Sequence, residues 1–121
     1  MTKIQNTKPY DLEDRTLEYA KTVRKLIKML PKTLGNIEDG KQLIRSSGSI
    51  GANYIEANEA LSKKDFLYRV KLCRKEAKES RLWIKLLDTE NNETLKEMKH
   101  KLANETTELM KIFGSIVTKS Q

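Results

Sequence analysis

The chain has little of what most catalytic and metal sites require. Its 121 residues include one cysteine, Cys73, and one histidine, His100. A lone cysteine forms no intrachain disulfide, which fits a reducing compartment. A zinc site draws on about four nitrogen or sulfur ligands, and two such residues do not supply them. A Ser-His-Asp or Cys-His arrangement would have to use His100, in the charged stretch EMKHKLANE, where a solvated helix residue is the plainer reading. Two prolines and five glycines exclude collagen-like and Pro/Gly-rich classes and count against an all-β domain. No apolar run approaches the roughly 18 residues of a membrane span. The opening MTKIQNTKPY lacks the apolar stretch of a signal peptide. A single soluble, cytoplasmic, all-α domain over residues 1–121 is the expectation, with no membrane partner.

What is present is charge at helical spacing. Helix one is expected over 11–31, capped by Asp11, with Leu12, Ala20, Val23, Ile27 and Leu30 along its apolar side and Pro31 ending it. Helix two is expected over 35–60. Asn36, Glu38 and Asp39 mark its start, and Ile37, Ile44 and Ile55 lie beside Leu43, Ile50 and Tyr54. Its centre carries Ser46, Ser47, Gly48, Ser49, Gly51 and Ala52. Each glycine weakens an isolated helix by about 1 kcal/mol against alanine. Gly48 and Gly51 therefore read as a site of close helix packing. A phosphate-cradling loop is the alternative, but neither GxGxxG nor GxxxxGK[ST] is present.

Helix three, expected over 63–88, opens with the variant capping box Ser62–Asp65. Phe66, Val70, Cys73, Ala77, Ser80, Ile84 and Leu87 then alternate steps of four and three, a heptad seam. Within it Cys73 reads as a small buried side chain rather than a reactive thiol. Helix four, over 92–118, repeats the spacing with Leu95, Met98, Leu102, Leu109, Ile112 and Ile116, and Phe113 alongside. Its seam lapses at Glu105 and Thr106, and Lys119 to Gln121 read as a frayed tail. Four such segments joined by short connections make an antiparallel up-down-up-down bundle.

Net basicity is concentrated in helix three. Residues 62–87 hold nine basic and three acidic side chains, a surplus of six, against +7 for the whole chain. Stepping about 100° per residue separates three arcs. The first is the seam. The second holds Lys64, Lys71, Arg74, Lys75, Lys78 and Lys85. Such a stripe is either a solvated face or a track for the phosphates of RNA or DNA. No aromatic interleaves it, so base stacking is not indicated. The third arc holds Tyr68, Leu72, Glu76, Glu79, Trp83 and Leu86. Its two carboxylates read as a buried polar network with Arg45, Asn53 and Glu56 of helix two, Arg45 pairing with Glu76 or Glu79, rather than as a catalytic pair. Tyr68, Leu72, Trp83 and Leu86 suit a subunit interface, where aromatics are favoured.

The run from Gln42 to Leu87 resembles the four-helix-bundle proteins encoded in intervening sequences of bacterial large-subunit ribosomal RNA genes. The matching residues are Arg45, Ser46, Ser49, Ile50, Ala52, Asn53 and Glu56, then Lys64, Asp65 and Phe66, then Glu76, Ala77 and Glu79. Many relatives carry glycine after the glutamate where this chain has Ala57. The resemblance implies a ring-like homopentamer with a central channel, in a branch with no established enzymatic activity; no cofactor is expected. A related branch is the accessory variability determinant of diversity-generating retroelements, which works with nucleic acid. Two expectations follow: a non-enzymatic basic oligomer that binds nucleic acid, or a protein-interaction module whose basicity is incidental.

Overall fold

The structure, a computed structural model, describes residues 11–120; the opening decapeptide and Gln121 lie outside them. Four helices account for almost all of this span: α1 Leu12–Met29, α2 Leu34–Asn58, α3 Lys63–Leu86 and α4 Glu93–Ser120. No strand occurs among the described residues.

Local chemistry explains each boundary. Asp11 caps α1, its carboxylate accepting from Asp14 N–H at 3.2 Å. Leu30, immediately before Pro31, is extended, so α1 stops at Met29 rather than at residue 31. Thr33, not Asn36, caps α2. Ser62 caps α3 as expected, accepting from Asp65 N–H at 3.0 Å. Asn92 does the same for α4. At the far end of α3, the Lys99 ammonium donates to the Lys85 and Leu87 carbonyls at 3.3 and 2.7 Å, placing a cation where the helix dipole is negative. The expected frayed tail is helical through Ser120.

Contacts between helices show the antiparallel order directly. Thr16 and Ile27 on α1 approach Gly51 and Gly40 on α2. Asn53, Ile50 and Ser46 on α2 meet Arg69, Cys73 and Ser80 on α3. Arg74 lies against Gly114 and Arg81 against Thr107 of α4. Helix pairs α2–α3 are in most intimate contact and α1–α4 least, while the diagonal backbones stay apart. This is an up-down-up-down bundle.

The α3 seam is as the spacing predicts: Val70, Cys73, Ala77, Ser80, Ile84 and Leu87 are buried and Phe66 partly so. The other faces are rotated from expectation. On α1 the buried set is Leu12, Thr16, Tyr19, Val23, Leu26 and Leu30, with Ala20 and Ile27 at its edge. On α2, Ile37 and Ile55 are exposed, and the core side runs through Asn36, Gly40, Leu43, Ser46, Ser47 and Ile50. Small and polar residues occupy buried positions there because helices approach closely; Ser46 and Ser80 share a 2.7 Å hydrogen bond across the α2–α3 contact. Helix-period reading by hydrophobicity alone assigns such positions to the surface.

The lapse in the α4 seam is where α1 and α4 join. Thr106 is fully buried, donates to the Leu102 carbonyl at 2.7 Å and lies 2.6 Å from the Tyr19 hydroxyl. Outside it the Arg15 guanidinium grips Glu105 with two 2.8 Å bonds. Asn36 performs a comparable task at the bundle end. Its amide donates to the Pro31 and Asp88 carbonyls and accepts from Asp88 N–H at 2.8 Å, tying the first inter-helix connection to the third.

Two outcomes follow from these buried polar links. Asn36→Ala orphans Asp88 on both sides and is expected to cost about 2–3 kcal/mol in urea unfolding, with an unchanged slope. Burial pushes the Tyr19 phenol up to about 12, against an ordinary value of 10. The unfolded phenol therefore ionises first, so this contribution is intact below pH 10 and is lost as pH rises towards 12. Thermal unfolding across that range should show the decline, and Tyr19→Phe should make it shallower, burial of the Cys73 thiol sustaining the remainder.

Candidate nucleic-acid interface

The basic arc lies on the α4 side of α3. All six of Lys64, Lys71, Arg74, Lys75, Lys78 and Lys85 are exposed. Five of them, Lys64 excepted, line one open groove of about 720 Å³ between α3 and α4. Lys64 stands alone near the start of α3, about 10 Å from Lys71 along the axis. Arg81, not counted in the expected stripe although it follows Arg74 by two turns, also lines the groove, and Thr107 of α4 accepts from its guanidinium at 3.4 Å. Leu82 and Met110 supply apolar floor, and Glu79 is the one carboxylate in the lining.

Charge in the groove is largely uncompensated. Lys75 Nζ lies 4.0 Å from both Glu76 and Glu79, at the limit of ion pairing. Among the described residues no carboxylate lies within 4.0 Å of the cationic groups of Lys71, Arg74, Lys78, Arg81 or Lys85. Gly114 of α4 lies beside Arg74: a side-chain carbon added there would sit 3.8 Å from the Arg74 side chain, an ordinary contact. Such a surface attracts polyanions through phosphate contacts and counterion release, without reading bases.

The third arc differs from expectation. Arg45 is exposed and donates to Gln42 of its own helix at 3.2 Å; it pairs with neither Glu76 nor Glu79. Its position on α2 turns it away from the α3 contact, which Ser46 and Ile50 occupy. Glu56 is likewise exposed and joins no network. The polar link that does form is Arg69 to Asn53, at 3.3 Å, and Asn53 also donates to the Ser49 carbonyl. Glu76 is buried with Oε1 unpartnered. Tyr68 and Leu86 are 56% and 53% exposed, whereas Leu72 and Trp83 are half-buried. Gly48 and Gly51 separate too. A side-chain carbon at Gly51 would lie 3.1 Å from the Thr16 hydroxyl, which is close packing; one at Gly48 would meet nothing within 4 Å, so the packing expectation fails there.

His100 is exposed beside Asn104, and no cluster of metal-ligating residues occurs among the described residues. No helix among them is long and apolar enough to cross a membrane.

Fold and groove define the class: a basic four-helix bundle with an open cationic groove on its third helix, bordering the fourth. The sequence model of the 23S rRNA-intervening sequence proteins matches residues 10–115, and the chain belongs to that family. A solved structure of a protein of unknown function from the S23 ribosomal protein family of Bacteroides thetaiotaomicron is similar to it, at 34% identity and a TM-score of 0.75. That likeness covers 88% of this chain and 97% of the other. No curated protein matches.

Cys73 is fully buried, its thiol donating to the Ile50 carbonyl at 3.5 Å, and burial pushes its pKa up to about 12. Modification by a thiol reagent at pH 8 should be at least about a hundredfold slower in the native protein than in urea, read by mass spectrometry. A fast native reaction would place the thiol at the surface.

Proposed function

We propose that this chain is a non-enzymatic, cytoplasmic, homo-oligomeric bundle, pentameric as the resemblance implies, that binds RNA or DNA through phosphate contacts along the α3–α4 groove. One observation carries the reading: six cations line that groove against one carboxylate, and among the described residues five of the six have no carboxylate within 4.0 Å. An ordinary solvated face of a helix intersperses both signs and pairs them at i, i+4, as α4 does with Glu97 and Lys101.

A second reading has its own observation. Leu86 presents apolar surface one turn from half-buried Trp83, and Tyr68 adds an exposed ring roughly 22 Å away along α3, which suits a protein partner and needs no nucleic acid.

Titration with a short RNA duplex at several salt concentrations separates them. Binding should weaken linearly in log–log form as salt rises. The double variant Lys71→Glu, Lys78→Glu should bind more weakly and lower the slope by about two, with its helical content unchanged. Affinity indifferent to salt, or unaltered by the two substitutions, leaves the protein-partner reading standing.

A further inference from the structure

The bundle carries an unfilled groove and, one side further round, a row of unsatisfied polar atoms. The groove lies between α1 and α2, holds about 400 Å³, and is formed by Leu17, Ala20, Gly48, Gly51, Ala52 and Ile55. Leu17 and Ile55 are about half exposed along it. Thr16 accounts for Gly51, but among the described residues nothing lies within 4 Å of where a side-chain carbon at Gly48 would sit. A mid-helix glycine costs about 1 kcal/mol against alanine and is left here without a neighbour to justify it.

The row lies on the α2 side of α3. Arg69 Nε, Glu76 Oε1 and Trp83 Nε1 are fully buried without hydrogen-bond partners. They recur every seven residues, about 10 Å apart, too far to satisfy one another. Leu72 and Glu79 interleave them on the outward side.

Charge on the two features matches level by level. Glu13 of α1 accepts from Asn58, and Arg69 of α3 donates to Asn53, so a carboxylate on the groove rim and a guanidinium on the row occupy the same end of the bundle. Further along, Ser80 meets Ser46, while Ile27 and Thr16 face Gly40 and Gly51. Interpolation along α2 sets Glu79 level with Lys21 and Trp83 level with Arg24, both of them groove residues. Cys73 against Ile50 sets Leu72 level with Gly51. Helices α1 and α3 run the same way, so a rotation about an axis along the bundle brings opposite charges together with no shift along it.

We propose that the outer α3 side of one copy seats in the α1–α2 groove of a second copy, head to tail. Leu72 fills the space above Gly48 and Gly51, Arg69 meets the partner's Glu13, and Glu79 meets the partner's Lys21. Two different surfaces meet, so the contact is heterologous and repeats until a ring closes. This rests on the self-association proposed above and names the surfaces that make it.

Light scattering on the purified full-length chain tests it. Wild type is expected at a multiple of 14.0 kDa. Gly48→Trp, which blocks the groove, and Leu72→Asp, which spoils the inserting side, should each be folded and monomeric. Mixed together they should give a heterodimer, since one retains the α3 side and the other the groove. Folded variants that stay fully assembled, or a mixture that does not pair, overturn the pairing while leaving self-association intact. Wild type monomeric at high micromolar concentration overturns self-association itself. Should Gly48→Trp not fold, the charge reversal decides: Glu13→Arg should weaken assembly and Arg69→Glu added to it should restore it. Absence of rescue overturns the contact.

Discussion

Seven residues return an α-helix to nearly the same side after two turns, and α3 uses that return on every side at once. Its seam from Phe66 to Leu87 must face inward, because α2 and α4 both pack against it. With the seam set, everything else on the helix has its direction assigned. Lys71, Lys78 and Lys85 fall in one line towards α4, and Arg74 and Arg81 in a second. Arg69, Glu76 and Trp83 fall in a third, towards α2. The cationic groove and the orphaned row are thus two consequences of a single periodicity.

The groove needs a second wall, and α4 is held there by polar bonds as well as apolar packing. Between α1 and α4, the least intimate neighbours, Tyr19 and Thr106 meet inside and Arg15 and Glu105 outside. Bonds of this kind add little net stability, since water served the same groups before folding. Their effect is to select one register: a shift of α4 by one turn would leave a buried hydroxyl unpaired. Asn36 does the same at the end of the bundle by clamping Asp88. Register in turn places Met110 in the groove lining with Leu82 and sets Gly114 beside Arg74.

How much of this was legible beforehand depends on what periodicity encodes. The α3 seam, the caps at Asp11 and Ser62 and the basic stripe follow from angle and spacing within one helix, and each was readable. Arg81 was missed although it follows Arg74 by two turns on the same side; only its bond to Thr107, on another helix, was beyond the spacing. The expected Arg45 pairing failed for a related reason: sequence places Arg45 on α2 but not which side of α2 meets α3. Thr16, Ser46 and Thr106 read as interruptions of apolar faces, whereas close helix approach makes them core. Asn36 looked like a cap, and its larger role depends on Asp88, fifty-two residues away.

The central claim is that one side of α3, and not the positive charge of the chain at large, meets a polyanion. Amine-labelling mass spectrometry, with and without a short RNA duplex at fixed ionic strength, addresses it lysine by lysine. Lys71, Lys78 and Lys85 should be protected together on binding, while Lys21 and Lys25 of α1 label as before. Equal protection of the α1 and α3 lysines, or none on α3, contradicts the account.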